Sequence, residues 1–288
     1  MNAFHSGCIG DIIYSIPTLH KLGVESLFIA DRPWTKPIVN RIGAFDRILE
    51  SQGIKVREHK GEKIDYDLST YRSAGNKYGE TIASKIARWV NVHVDMSEKS
   101  IRISDKTPYT KGKIIVGRCP RWHGENFPWR DIVEQYGSDI VFIGLPEEHK
   151  EFTREFGNVD YYHTIDLYDV AEAINGCDIY FGNQSSPMAI CEGLKHDCVQ
   201  ECCLYAFDCV YHRGNKVHVI DGNFTFTHKG RVFDYKIETP KHGYKITVNG
   251  YDFHSRDKLV CVTIARAYLT MNNIQCNVDS LHELVKSY

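Results

Sequence analysis

The chain has 288 residues, of which 42% are hydrophobic and 25% charged, with a formal net charge of −2. That length suits two domains, each able to bury its own core, and the balance is that of an ordinary soluble globular protein. A near-neutral charge offers no global field for nucleic acid, no apolar run approaches the ~18 residues of a membrane span, and the first residues lack the pattern of a signal peptide. Ten cysteines with no sign of export read as reduced thiols, hence a cytoplasmic location.

In chain order, residues 4–22 open with Phe-His-Ser-Gly-Cys-Ile-Gly-Asp and run into a helical pattern over 12–21. Gly7 and Gly10 can turn without a Cβ penalty and admit a ligand to the backbone, and Asp11 sits beside them at the mouth of the helix. Residues 27–30 predict a strand, 34–43 a helix and 64–68 another strand. Ile82, Ile86, Trp89 and Val90 mark one buried face of a helix over 78–92. Ile101-Arg-Ile reads as a last strand of the first half, and the polar stretch 105–112 as the linker.

The second half restarts the alternation, with strands at 113–117, 139–143 and 178–181 and helices at 129–136, 147–156 and 167–175. Asp166 fits the N-cap of the last of these, with Asp169 in its first turn. Strands alternating with helices predict parallel sheets covered on both faces. Residues 182–194, Gly-Asn-Gln-Ser-Ser-Pro-Met-Ala-Ile-Cys-Glu-Gly-Leu, follow the 178–181 strand. Pro187 fits a first helical turn, so Asn183, Gln184, Ser185 and Ser186 lie where a helix presents unbonded N–H groups and its positive dipole end. Such a turn suits phosphate.

Beyond 200 the character becomes β-rich. Residues 211–256 interleave Arg213, Lys216, Lys229, Arg231, Lys236, Lys241, Lys245 and Arg256 with Tyr211, Phe224, Phe226, Phe233, Tyr235, Tyr244 and Phe253. That mixture fits a nucleic-acid face, an acidic glycan, or a hairpin with its aromatics inside and its lysines in water. Residues 256–271 predict a helix. Cys191, Cys198, Cys202, Cys203 and Cys209 lie near His196 and His212, but no Cys-x-x-Cys pair occurs there, so buried thiols are expected rather than zinc.

Several of these segments, in this order, make the chain similar to the heptosyltransferase-like glycosyltransferases, the family typified by the ADP-heptose:lipopolysaccharide heptosyltransferases. The opening Gly10-Asp11-Ile-Ile-Tyr-Ser-Ile-Pro17-Thr-Leu19 resembles that family's Gly-Asp, apolar, Pro-x-Leu start. Gln184-Ser185-Ser186-Pro187-Met188-Ala189 occupies its Asp-Thr-Gly-Pro-Met-His signature. Between them, Ile114-Ile-Val-Gly117, Asn126-Phe127-Pro128-Trp129 and Phe142-Ile-Gly-Leu-Pro146-Glu147-Glu148 match a strand, an aromatic-Pro segment and a strand ending Gly-x-Pro-Glu. The family's Asp and His are here Gln184 and Ala189, and the Lys before the aromatic-Pro pair is absent, with Glu125 and Asn126 nearby.

The resemblance implies an α/β chain of two Rossmann-like domains facing a cleft (GT-B type): 1–108 on the acceptor side and 109–255 binding the nucleotide sugar. The latter carries the β-rich elaboration, and 256–288 supplies a helix crossing back to the first domain. It implies a metal-independent, inverting glycosyltransferase with no cofactor, in which Asp11 is the catalytic base. Donor contacts would come from Asn183, Gln184, Ser185, Ser186 and Met188, from Glu148 (or Glu147) toward the ribose, and from Arg118 and Arg121 in place of the missing charges. Asp65-Tyr66-Asp67 resembles the metal motif of the other large glycosyltransferase fold but lies in the wrong domain, so Asp67 is assigned, with Lys236, Lys241 and Lys245, to the acceptor side. The expected partner is a nucleotide sugar. Its acceptor would be a hydroxymethylated base of phage DNA, in the host cytoplasm, or a cell-surface oligosaccharide; the alternative is a catalytically inactive nucleotide-sugar-binding protein. Gly7 and Gly10 do not make the Gly-x-Gly-x-x-Gly turn of a dinucleotide enzyme.

Overall fold

The computed structural model describes residues 1–30, 38–75, 80–103, 108–124, 127–203, 207–210, 216–219, 224–235, 244–248, 251–255, 258–271 and 278–287. In the first half, β1 (Asn2–His5) turns into α1 (Ile9–Leu22) and is followed by β2 (Ser26–Ile29), α2 (Ile38–Glu50), β3 (Lys55–Glu58), β4 (Tyr66–Asp67) and α3 (Ile82–Trp89). The strands pair in the order β3-β2-β1-β4, all parallel. α1 is buried from Asp11 to Ile16 and again at Thr18, Leu19 and Leu22, and Pro17 inside it removes one intrahelical hydrogen bond.

The second half contains β5 (Ile114–Gly117), α4 (Trp129–Tyr136), β6 (Ile140–Phe142), α5 (Pro146–Phe156), β7 (Asp160–Tyr161) and α6 (Leu167–Gly176). It continues with β8 (Ile179–Gly182), α7 (Ser186–Leu194), β9 (Cys198–Glu201) and β10 (Lys216–Val219). Here too every pairing is parallel, in the order β10-β9-β8-β5-β6-β7. The chain builds outward from β5 to β7, then returns to the other side of β5 as β8. Both sheets therefore reverse direction once, between β1 and β4 and between β5 and β8. In open parallel sheets such reversals leave a crevice at the carboxyl ends of the strands, where ligands bind. β5 is buried at all four positions, which explains its uninterrupted Ile-Ile-Val-Gly.

One apolar core runs through both halves, joining α1, α2 and α3 to α6 and α7. Polar contacts fix the junction. Arg47 on α2 lies 2.8 Å from Asp166 and 3.1 Å from Asp169, and Asp166 also caps α6 by accepting from the Tyr168 and Asp169 N–H groups. Gly193 on α7 accepts the backbone N–H of Ser100 and of Ile101, each at 3.0 Å, and a Cβ there would lie 2.5 Å from Ile101 Cδ1. That contact corrects one expectation: Ile101-Arg-Ile is not a strand but a strap whose apolar end plugs into α7. α2 begins at Ile38 and extends to Glu50, the expected 34–37 portion lying outside the described residues. β3, Lys-Val-Arg-Glu, went unforeseen because an edge strand with one apolar residue carries no period-2 signal.

Two antiparallel elements follow. β11 (Phe224–His228) and β12 (Arg231–Tyr235) form a hairpin whose two-residue turn, Lys229-Gly230, is left-handed at both positions, with φ of 48° and 74°. Phe224, Phe226 and Phe233 enter the core with Phe127, Trp129, Tyr136 and Phe181. Three of the aromatics of the expected nucleic-acid face, Phe224, Phe226 and Phe233, are thus interior. β13 (Tyr244–Val248), β14 (Tyr251–Ser255) and β15 (Lys286–Ser287) make a small sheet with α8 (Lys258–Met271) and α9 (Val278–Leu284). Cys261, Val262, Ala265 and Leu269 of α8 share a third core with Ile246 and Leu281. Among the described residues, no helix is long and apolar enough to cross a membrane.

The hairpin also carries a buried histidine. His228 is 3% exposed, with Nδ1 3.5 Å from Asp178 Oδ2 and Nε2 3.8 Å from Asp139 Oδ2. The Asp139 carboxylate is already engaged by Lys229 at 2.9 Å and by Arg231. Burial holds the imidazole below its ordinary pKa, and the attraction of Asp178 does not overcome it. Below about pH 6.5 the unfolded chain binds a proton that the folded one refuses, so stability is lost as pH falls through the lower folded value. His228→Gln removes this contribution. Urea midpoints at pH 7.5 and 5.5 should differ less for the variant than for the native chain; an equal difference would refute the assignment.

Candidate active site

The first switch point is built on β1. His5 is fully buried, and its Nδ1 accepts the Gly7 N–H at 2.7 Å. A Cβ at Gly7 would stand 2.2 Å from His5 Cε1 and 2.9 Å from Asp11 Cβ, so only glycine lets the chain pass between the imidazole and the start of α1. Cys8 holds the N-cap position without a side-chain bond, and Asp11 lies in the first turn. Its carboxylate faces Arg72, whose Nη2 lies 3.4 Å from both oxygens. Arg72 belongs to a 3₁₀ turn, Tyr71–Ala74, that follows β4. Its Nη1 lies 3.3 Å from Asp208, which follows β9 in the other half of the chain. Burial, and then the nearby Asp11 charge, push the Tyr71 phenol well above its ordinary pKa.

The second switch point is built on β5 and β8. Gly117 and Gly182 stand opposite each other, and Tyr180 lies beneath them. A Cβ at Gly117 would come 2.8 Å from the Tyr180 hydroxyl oxygen, and one at Gly182 2.3 Å. These glycines make room for a buried ring. Asn183 is fully buried: its Oδ1 accepts the Cys119 N–H at 3.2 Å, and its Nδ2 donates to the carbonyls of Cys119, at 3.0 Å, and Arg121. Gln184 binds both backbone groups of Cys203, accepting its N–H and donating to its carbonyl at 3.4 Å. The two amides therefore clamp the chain leaving β5 and β9 to the turn between β8 and α7.

Ser185 and Ser186 are partly exposed at the start of α7, where the Ser185 hydroxyl donates to the Asn183 carbonyl at 3.3 Å. The two switch points meet there: a Cβ on Gly10 would lie 3.8 Å from Ser186 Oγ. Gly10 and Ser186 thus stand face to face, with Gly7 and Asp11 on the Gly10 side and Ser185 next to Ser186 in the chain.

Other expected donor residues lie elsewhere. Met188 is fully buried in the common core, with no path to a ligand. Arg118 forms a fork on Glu201, with Nε 3.0 Å from Oε2 and Nη2 3.2 Å from Oε1. The same carboxylate accepts the Gly124 N–H at 3.0 Å and Trp129 Nε1–H at 3.1 Å and is fully buried. This guanidinium completes a saturated internal network rather than awaiting a diphosphate. Arg121 is exposed on the loop that Asn183 holds, beside Trp122, whose φ is 62°. Glu148, at the carboxyl end of β6, accepts the Leu145 N–H at 2.9 Å, and burial raises its pKa.

On the acceptor side, Asp67 closes its own turn by accepting the Ser69 N–H at 2.8 Å, and Asp65 accepts the Asn2 N–H at 2.9 Å. Lys245 lies on β13, paired in register with His254 and Lys286 of the third sheet, while Lys236 and Lys241 fall outside the described residues. Among the described residues, no three His, Cys, Asp or Glu side chains are grouped to hold a metal ion.

No protein-family model and no curated protein sequence matches the chain. Solved structures do. An E. coli heptosyltransferase, WaaC, with ADP-2-deoxy-2-fluoro heptose, is 10% identical and superposes on 76% of this chain and 92% of its own, with a TM-score of 0.50. The chain carries the heptosyltransferase fold. A glycosyl transferase family 9 structure from Veillonella parvula follows at 13% identity, covering 75% of this chain and 85% of that one, with a TM-score of 0.48. E. coli ADP-heptose LPS heptosyltransferase II is 10% identical over 69% of this chain and 83% of its own, with a TM-score of 0.36. At such identities a shared fold says nothing of individual residues, and here Arg72, Asp208 and Glu201 went unread. Each lies in a short local context, Tyr-Arg-Ser, Phe-Asp-Cys or Gln-Glu-Cys, that carries no motif.

Glu201→Ala would strand the Arg118 guanidinium and the Trp129 and Gly124 N–H groups in a dry interior. Breaking one partner of a buried ion pair costs about 3–5 kcal/mol. Urea denaturation should show a loss of this size, whereas a change below about 1 kcal/mol would mean that water replaces the carboxylate.

Proposed function

We propose that the protein is a glycosyltransferase that moves a sugar from a nucleotide-diphosphate sugar to a hydroxyl acceptor with inversion. The observation that carries this reading is the meeting of the two switch points at Gly10 and Ser186, one residue from Asp11. The diphosphate would lie at the start of α7, against the Ser185 and Ser186 hydroxyls and first-turn N–H groups that have no intrahelical acceptor. Arg121, on the adjoining loop, would add a charge-assisted bond. Asp11 takes the proton of the acceptor hydroxyl as its oxygen attacks the anomeric carbon. The bond from that carbon to the diphosphate oxygen breaks, and its electron pair leaves with the nucleotide. Helix dipole and arginine then meet the developing charge, and no metal is required.

WaaC was solved with a nucleotide-diphosphate heptose analogue, which supports a donor of that chemical class. For the acceptor we favour an oligosaccharide hydroxyl over a DNA base. Phe224, Phe226 and Phe233, which would have stacked on bases, are interior.

Nucleoside diphosphates should raise the thermal midpoint in EDTA, with about 2.7 kcal/mol of stabilisation at 100 times Kd. An obligatory divalent cation would overturn the metal-free reading. Asp11→Asn should retain nucleotide affinity while turnover falls ~10²–10⁴-fold. Undiminished turnover would remove Asp11 from the chemistry, and binding without transfer to any acceptor would leave a nucleotide-sugar-binding protein. Ser185→Ala with Ser186→Ala should weaken donor binding and lower kcat, since both hydroxyls would meet charge that grows in the transition state.

A further inference from the structure

Asp208 lies in the second half of the chain, yet its carboxylate is held by two cations of the first. Arg72 Nη1 stands 3.3 Å from Asp208 Oδ2, and Lys85 Nζ on α3 stands 3.9 Å from the same oxygen. Lys85 is 3% exposed, an unusual burial for an ammonium group, which makes a nearby carboxylate such as Asp208 electrostatically favourable. The other end of the Arg72 guanidinium is 3.4 Å from both oxygens of Asp11. One side chain thus joins carboxylates from opposite halves of the protein. These contacts are longer than the ~2.7–2.9 Å of a closed charge-assisted bond. Arg72 is shared between the two acids rather than locked in a fork on either, and its plane lies 5.0 Å above the buried Tyr71 ring.

We propose that Asp208 is a positioning residue: anchored by Lys85, it draws Arg72 to the place where the guanidinium orients the Asp11 carboxylate toward the Gly10–Ser186 junction. This rests on the reading of Asp11 as the base. The arrangement has two cations and two anions, so it needs no counterion and holds only while both halves of the chain are docked. Removing Asp208 releases Arg72 onto Asp11 and takes away a neighbouring anion, and both changes favour the charged carboxylate. Removing Arg72 does the opposite. The titratable neighbours come from every adjoining element: Tyr71 beside Arg72, Cys209 beside Asp208, Lys85 on α3, and His5 on β1, whose ring lies 6.0 Å from that of Tyr71.

The test is a ¹³C-aspartate NMR titration of the whole chain, with Asp11 assigned through Asp11→Asn. It is run beside the pH profile of nucleotide release from ADP-heptose as the probe donor. Asp208→Asn should shift the Asp11 midpoint down, and Arg72→Gln should shift it up. Arg72→Lys should restore part of the native value, and the acid limb of kcat/KM should move in the same directions. Neutralising either charge shifts the midpoint by Coulomb attraction alone, so the positioning role is read from Arg72→Lys, which keeps the charge but loses the planar fork and should recover the midpoint better than it recovers kcat/KM. Should Asp208→Asn fail to fold, Lys85→Met, which keeps the buried volume, should raise the midpoint by letting Asp208 pull Arg72 away. An Asp11 midpoint unchanged or raised in Asp208→Asn, or unchanged in Lys85→Met, overturns the proposal. If the native chain releases no nucleotide from this or any donor, the glycosyltransferase reading fails, and the NMR shifts still decide the positioning role.

Discussion

Helix α1 against helix α7 is the contact on which the rest of this molecule depends. Each follows a strand at the reversal point of its sheet, so each presents its amino end to the crevice. Both helices are buried along most of their length, α1 at Asp11–Ile16 and α7 at Met188–Leu194. Two positive helix ends facing each other repel unless something negative lies between or beside them. Asp11 supplies one such charge, and a diphosphate would supply the rest. The glycines are placed where this meeting requires them: Gly7 under the His5 ring, Gly10 facing Ser186.

Around that contact the protein uses two ion networks in contrasting ways. Glu201 has all four of its bonds satisfied inside the protein, is fully buried and ties the loop after β5 to β9. A group so saturated rigidifies and has nothing left to offer a substrate. The Asp11–Arg72–Asp208 chain is looser and half-exposed at Arg72, with contacts of 3.3 and 3.4 Å. Chemistry needs the second kind, since a base must accept a proton without paying for the rupture of an ideal buried pair.

Much of the architecture was legible because buried parallel strands and amphipathic helices leave strong local patterns. α4 over Trp129–Tyr136 coincides with its expected span, and β5, β6 and β8 fall within a residue or two of theirs. What failed was decided by neighbours rather than by local pattern. The edge strand β3 owes its existence to pairing with β2, and Ile101 is buried by Gly193 rather than by a sheet. For α8, an apolar face announced burial without saying against what, and the answer is its own sheet. The hairpin over 224–235 was readable as alternation, and its fate as core follows from Phe226 facing Phe233 across the pair. In the site, glycines and helix-start hydroxyls carried local signals, whereas Arg72 and Asp208 are 136 residues apart and meet only in three dimensions.

The departures from the resembling family are consistent with a site whose charges have moved. Where that family has Asp, Gln184 uses both amide atoms on the backbone of Cys203, a bridge that a carboxylate, with no N–H to donate, cannot complete. Where it has His, Ala189 is 1% exposed within the α1–α7 packing, and an imidazole there would displace the contact on which the cleft depends. Both positions have become scaffold. In the reading proposed above, Ser185, Ser186 and the exposed Arg121 would take the polar work left at this end of α7, and Asp11 the acid–base work. In the proposed reading such a division has a physical merit: the hydroxyls, backbone N–H groups and Arg121 that would meet the diphosphate are separate from the Arg72 that faces Asp11, so neither task uses up the groups of the other.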